Sequence, residues 1–290
     1  MRAAFNQPRM EDSLNLDGYV VVDFMNLDEL EEVQEGIREL GFGVDDEMKF
    51  RISVIQYSVE KRNEIFEKLS PLFRRTIDEY LQDYKLIRIA IFDKLPGGGD
   101  IRVHQHANLV DESKYRSLTT WIPLTDTTVE MGTLHVVRGS HVFSNHVRSY
   151  DDYYYAFDGV SKKIIKKCST PILLGRGQAI IFDDRLIHWS PPNKSASIRT
   201  AIQLELIPRE SELAIYYRAN DQELLKYAID EKTYRVTNLA SKKPEDLQLT
   251  GKLKQPNVSY GNRQFISMIR DINPDDTRLK RNFFQRLFNL

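Results

Sequence analysis

The chain has 290 residues, 41% hydrophobic and 29% charged, a globular balance that excludes collagen-like and disordered classes. Lys and Arg number 41 against 42 Asp and Glu, so the basic excess expected of a protein living on nucleic acid or an anionic membrane is absent. Cys168 is the single cysteine, which rules out a disulfide within the chain and a four-cysteine zinc site. No run approaches the roughly 18 apolar residues of a spanning helix, and residues 1–10 hold no apolar stretch of signal-peptide length. A soluble, cytoplasmic protein is expected.

In chain order, residues 19–24 (YVVVDF) follow the turn Asp17-Gly18 and read as a strand. Asn26 with Glu29 three residues on forms a helix start, Leu27, Leu30, Val33, Ile37 and Leu40 repeat at helical spacing, and Gly41 closes the helix. A second helical region covers 63–84, restarting at Ser70-Pro71. From Leu86 the period becomes two. Residues 86–92, 101–106, 118–124, 133–137, 179–182, 186–189 and 198–207 read as short strands between turn signals such as Pro96-Gly97-Gly98-Gly99. Helices first and strands after argue for an α+β protein with a sandwich or barrel, against a doubly wound parallel sheet. Residues 149–158 (SYDDYYYAFD) read equally as a surface loop or as a substrate wall. After Arg209 the chain becomes more polar; residues 209–290 are expected to form a helical and loop extension packed on a 1–208 core. Lys242-Lys243-Pro244 reads as a loop, and 278–288 as a basic amphipathic end.

All six histidines lie between 104 and 188, which marks that window as the seat of chemistry. His104 and His106, two apart on a strand, point to one face and make half of a metal site. His188, downstream among turn residues, is the candidate third ligand, since distant strands meet across a small barrel. Three ligands from one side leave coordination positions open, as non-haem iron chemistry requires. Arg199 begins a strand in which Arg199, Ala201, Gln203 and Glu205 share one face, and Thr200, Ile202, Leu204 and Leu206 share an oily one. An arginine on that polar face suits a bidentate clamp on a carboxylate. His135 reads as structural with the pocket as the alternative, His141 ends the Arg-Gly-Ser-His turn, and the sequence identifies no partner for His146. Cys168 reads as incidental, and Asp183-Asp184 either as a turn or as an orienting partner of a ligand histidine.

Together these pieces resemble the phytanoyl-CoA dioxygenase family of iron- and 2-oxoglutarate-dependent oxygenases. The resemblance runs from GYVVVDF to about residue 208. It includes Lys94-Leu95-Pro96-Gly97-Gly98 ahead of His104-Gln105-His106, Trp121, Met131-Gly132-Thr133-Leu134, Arg138-Gly139-Ser140-His141, and the block around His188, Ser190, Asn193 and Arg199. It implies a double-stranded β-helix (a cupin-like jelly roll) framed by N-terminal helices. It implies His104 and His188 as Fe(II) ligands, Ser190 and Arg199 on the far carboxylate of 2-oxoglutarate, and Trp121 in the same pocket. The implied partner is a small organic substrate, oxidised with O2; oligomeric state is left open. The chain departs from the family at His106, where members carry aspartate, so the implied metal site has three histidines and one more unit of positive charge. Two other readings follow from that departure: a three-histidine oxygenase that does not use 2-oxoglutarate, and a silent binding protein. Asp111 and Glu112 are the weaker alternative source of a carboxylate ligand.

Overall fold

The computed structural model describes residues 2–42, 48–143, 146–151, 155–239 and 247–272. The chain begins with α1 (Pro8–Asp17), β1 (Tyr19–Asp23), α2 (Leu27–Glu39), β2 (Phe50–Ile52), the one-turn α3 (Ser53–Gln56) and α4 (Val59–Tyr80). The expected cap of α2 is present: the Asn26 side chain accepts from the Glu29 N–H, and Glu29 accepts in return from the Asn26 N–H. Gly41, at φ 66°, supplies the left-handed residue that ends the turn after it. α4 differs from expectation. It starts earlier, where the Ser58 hydroxyl accepts from the Lys61 N–H, and it runs unbroken through Pro71. The buried stripe of Ile65, Phe66, Leu69, Phe73 and Ile77 outweighs the hydrogen bond that the proline removes.

Next come β3 (Tyr84–Lys94), β4 (Ile101–His104), β5 (Leu118–Pro123), β6 (His135–Val136), α5 (Lys162–Cys168), β7 (Thr170–Pro171), β8 (Gln178–Asp183), β9 (His188–Ser190) and β10 (Arg199–Pro208). They build a six-stranded sheet in the order β1-β8-β5-β10-β3-β2 and a four-stranded sheet in the order β4-β9-β6-β7, every pair antiparallel. Side chains from both sheets line one cavity, so these are the two layers of a cupin-like jelly roll. Ile202, Leu204 and Leu206, on the oily face of β10, pack with Ile89 and Ile91 of β3 against Leu30, Val33, Leu69 and Phe73 of the helices. The helical frame thus covers the outer face of the larger sheet and turns Arg199, Gln203 and Glu205 inward to the cavity.

The described residues after 209, expected as helix and loop, also hold three strands. β11 (Ala214–Asn220), β12 (Glu223–Ala228) and β13 (Gln248–Lys254) form a third antiparallel sheet, with α6 (Glu231–Val236) between the last two and α7 (Asn262–Ile272) after them. Ile215, Tyr217 and Tyr227, with Tyr234 of α6, pack on Ile87, Leu109, Val110 and Ile207. β-branched and aromatic residues at alternate positions carry that burial, although polar neighbours mask the pattern in the sequence. The 242–244 loop, the basic 278–288 stretch, and Tyr153 and Tyr154 of the tyrosine-rich run lie outside the described residues.

Candidate active site

β4 ends at His104, which pairs across the smaller sheet with His188 at the start of β9. His106 lies beyond the end of β4, where its N–H donates to the Asp184 carbonyl at 2.8 Å. The His104 and His106 ring centres lie 5.5 Å apart, on the same side as the two-residue spacing predicts. Potential ligand atoms of the three histidines lie within 4.8 Å of one another. The backbone carbonyls of Arg102 and Leu186 lie 2.8 Å from Nδ1 of His104 and of His188. A carbonyl only accepts, so each Nδ1 carries the proton and each neutral ring keeps its lone pair on Nε2. Burial, and secondarily the neighbouring His106, pushes the His104 pKa down to about 3; burial and both neighbours hold His188 well below the usual range. These two rings are thus neutral at physiological pH, the form a metal requires. Three converging imidazoles suit a divalent transition metal such as iron, with positions left open for further ligands.

His106 is held differently. Its Nδ1 lies 3.0 Å from Asp184 Oδ1 and 2.9 Å from Thr119 Oγ1, and the threonine hydroxyl donates to the same carboxylate oxygen at 2.7 Å. Asp184 is 1% exposed, so a full negative charge is buried directly behind the histidine that replaces the family's aspartate. Of the two sequence readings of Asp184, the orienting partner is the one observed. Glu112 is tied to Arg148 and Asp111 to Ser113, which removes both as sources of a carboxylate ligand.

Two buried basic groups stand together beside Ser190: Arg199, which lines one end of the cavity, and Lys94. Arg199 faces Lys94 directly across the β10–β3 pair. Lys94 donates to Ser190 Oγ at 2.6 Å and to the Pro191 carbonyl at 2.9 Å. The Arg199 guanidinium lies 5.4 Å from the Trp121 ring centre and donates to the Gly132 carbonyl, while its buried Nε has no partner. Among the described residues neither group has an ion-pair partner. Burial, with Arg199 adding to it, pushes Lys94 down to about 6, and burial lowers Arg199 to about 10. Ser190, Arg199 and Trp121 are thus brought together as the sequence implied. Lys94 was quoted there only as part of a turn approach. The alternation Arg88, Ala90, Phe92, Lys94 along β3 was the available signal, but its register with β10 was not.

The cavity, of about 390 Å³, also takes lining from Phe50, Ile52 and Ile55 at its apolar side, and from Arg88, Gln203, Glu205, Tyr150 and Tyr234 at a polar patch. Sequence reading reached this patch through the facing of Gln203 and Glu205 and through Tyr150, part of the 149–158 run read as a loop or a substrate wall; it missed Arg88 and Tyr234. Of the other described histidines, His141 Nε2 lies 3.1 Å from the Asn15 carbonyl, the His135 ring centre is 4.7 Å from that of Trp189 in a tilted pair, and that of His146 is 6.4 Å from that of Tyr260; none of the three lines the cavity.

Residues 14–201 match the phytanoyl-CoA dioxygenase family, PhyH. Among curated proteins, the dioxygenase trt7 of Aspergillus terreus (strain NIH 2624 / FGSC A1156) is 25% identical over 194 residues, covering 62% of this chain and 62% of trt7. The match thus spans less than two thirds of that relative's length. Among solved structures, EvdO2 of Micromonospora carbonacea var. aurantiaca, complexed with 2-oxoglutarate, aligns with a TM-score of 0.52 at 20% identity, covering 74% of this chain and 94% of EvdO2. The epimerase SnoN, in complex with Fe3+, alpha ketoglutarate and nogalamycin RO, aligns with a TM-score of 0.54 at 15% identity, covering 87% of this chain and 96% of SnoN. At these identities the two structures establish the shared fold. With well over half of the chain matched to the family, from α1 through the first residues of β10, this protein belongs to the phytanoyl-CoA dioxygenase family, a family of Fe(II)- and 2-oxoglutarate-dependent oxygenases.

Proposed function

We propose that the chain is an Fe(II)- and 2-oxoglutarate-dependent oxygenase that oxidises, by hydroxylation, a small organic substrate. His104, His106 and His188 would hold the iron, and Arg199, Ser190 and Trp121, joined by Lys94, would hold 2-oxoglutarate. The single observation that carries this reading is a three-imidazole cluster in the same cavity as the buried Arg199 guanidinium, which stands opposite the buried amine of Lys94, neither with an ion-pair partner among the described residues. An unpaired buried charge is costly, and a guanidinium beside an amine able to take up a proton calls for an anion. A dicarboxylate answers both needs, one end at the Arg199–Lys94 pair and the other toward the histidines. The iron, when bound, supplies the site at which O2 and the dicarboxylate react.

The chain's own residues perform the positioning. The carbonyls behind His104 and His188, and the Asp184 carboxylate behind His106, fix the imidazole rings so that metal binding costs little reorganisation. Asp184 also returns part of the negative charge that replacement of a family aspartate by His106 removes. Ser190 accepts from Lys94, which leaves its own hydroxyl hydrogen for a ligand carboxylate. The Trp121 ring beside Arg199 keeps that end of the cavity shielded from water, where a charge-assisted clamp is strongest. An oxygenase that does not use the dicarboxylate has no use for this basic pair, which favours the 2-oxoglutarate reading.

Anaerobic titration of the Fe(II)-loaded chain with 2-oxoglutarate, followed by its visible metal-to-ligand charge-transfer absorption, tests this proposal. A saturating band that weakens at least tenfold in apparent affinity for Arg199→Ala is expected. Stoichiometric iron with no band overturns the cosubstrate role, and failure to bind iron overturns the metal role.

A further inference from the structure

The inward faces of β3 and β10 form a ladder of opposed residues: Lys94 with Arg199, Phe92 with Ala201, Ala90 with Gln203, and Arg88 with Glu205. From Arg199 to Glu205 is six residues, or roughly 20 Å of strand. The two ends of this ladder differ in electrostatics. At the first, both groups are basic. At the second, Arg88 and Glu205 lie 3.8 Å apart and cancel.

The second end is also internally satisfied. Arg88 donates to the backbone carbonyls of Tyr234 and Thr237, and its guanidinium carbon sits 3.9 Å from the centre of the Tyr234 ring. The Tyr234 hydroxyl donates to Glu205, and the Tyr150 hydroxyl is bonded to that of Tyr234. Burial raises the pKa of both phenols, so they stay protonated. Gln203 stands between this patch and the Trp121 position, its Nε2 donating 3.2 Å to Glu205 Oε1. That bond fixes the amide orientation, with the carbonyl oxygen as an acceptor on the cavity wall. At the rim, Asp100 is matched by Lys162 and Arg102 by Asp158.

Away from the Lys94–Arg199 end and the histidines, every described charged side chain of the lining has an opposite partner, so none is left for a second ligand to answer. A volume of about 390 Å³ shared with that dicarboxylate lies near the lower end of the range for ligand pockets, roughly 300–1,000 Å³. Phe50, Ile52, Ile55, Phe92 and Leu239 supply the hydrocarbon walls. We propose that the part of the substrate entering this cavity is uncharged and mainly hydrocarbon, and carries a hydroxyl group that donates to the Gln203 amide oxygen. This substrate class rests on the 2-oxoglutarate reading only in assigning the cationic end to another ligand. Gln203 is the specificity residue, and Glu205, Arg88 and Tyr234 hold it in place.

The probes are four molecules on one decalin skeleton: 2-decalol, 2-decalone, decalin-2-carboxylate and 2-aminodecalin. Their binding to the full chain is measured by calorimetry, with and without saturating 2-oxoglutarate, so that catalysis is not the readout. With 2-oxoglutarate present, the alcohol is expected to bind at least tenfold tighter than the acid and the amine, and tighter than the ketone, which has no hydrogen to donate to Gln203. Gln203→Leu weakens the alcohol about five- to tenfold, while 2-oxoglutarate binding is unchanged. Glu205→Gln leaves Arg88 uncompensated, so the acid gains affinity relative to the alcohol. Equal or tighter binding of either charged probe, no binding of the neutral probes at millimolar concentration, or an alcohol affinity unaffected by Gln203→Leu overturns the proposal. Failure of the cosubstrate reading is separately visible, because 2-oxoglutarate itself then gives no heat of binding and no response to Arg199→Ala.

Discussion

Replacing Asp184 by asparagine removes one negative charge from behind His106 and keeps the shape of the side chain. Asp184 Oδ1 accepts from His106 Nδ1 at 3.0 Å and from Thr119 Oγ1 at 2.7 Å, and the residue is 1% exposed. An asparagine carbonyl still accepts both bonds, so the loss is confined to charge assistance. A hydrogen bond to a charged group contributes about 1.5–3 kcal/mol, against about 0.5–1.5 kcal/mol for a neutral one. The difference, about 1–1.5 kcal/mol, corresponds to about tenfold in metal affinity. That sits at the low end of the roughly 10- to 100-fold cost of losing partners behind metal-binding histidines. Fe(II) affinity is measured anaerobically by competition with a chromogenic chelator, for Asp184→Asn alone and in a His106→Asp background. In the second background Asp184 faces a carboxylate, and neutralising it relieves repulsion, so affinity holds or rises. An unchanged affinity with native His106, or equal losses in both backgrounds, refutes the argument that Asp184 acts through His106.

Two further expectations concern the anion end. Burial first, then Arg199, holds Lys94 near 6, against a weaker upward pull from Asp100. A bound dicarboxylate raises that value, so binding at neutral pH takes up a proton and affinity falls as pH rises above about 6. Calorimetry in buffers of different ionisation enthalpy reads the uptake; proton-neutral binding by the native chain, or uptake that persists in Lys94→Met, refutes it. Gly132 has φ +69°, and a Cβ there falls 2.3 Å from the Pro191 carbonyl oxygen. Gly132→Ala is expected to cost at least about 1–2 kcal/mol from the left-handed backbone alone, lowering Tm by roughly 2–4 °C or more. It also weakens 2-oxoglutarate binding, because Arg199 donates to the Gly132 carbonyl. An unchanged melting temperature refutes the clash.

Residue types and local periods were legible where one interaction dominates. The Asn26–Glu29 box needs only four residues to form, and the oily face of β10 is written in Ile202, Leu204 and Leu206. Less was legible where neighbours distant in sequence outvote local preference. Pro71 sits inside a continuous helix because Leu69 and Phe73 are buried on both sides of it. The strands of 214–254 were hidden because their apolar faces meet Ile87, Leu109 and Ile207, residues from other parts of the chain.

The same division runs through the site. The sequence alone determined which atoms are available: three imidazoles, an arginine eleven residues after the last of them with a serine between, and an inward polar face on one strand. Side-chain chemistry and short-range spacing are local properties, so a single chain carries them in full. The tertiary structure decided what those atoms are paired with. It placed Asp184 behind His106, Lys94 opposite Arg199, and Arg88 opposite Glu205. Those pairings depend on strand register and on turns past strand ends. Register is set by the burial of whole faces against one another, a sum over many contacts that no short stretch of sequence contains.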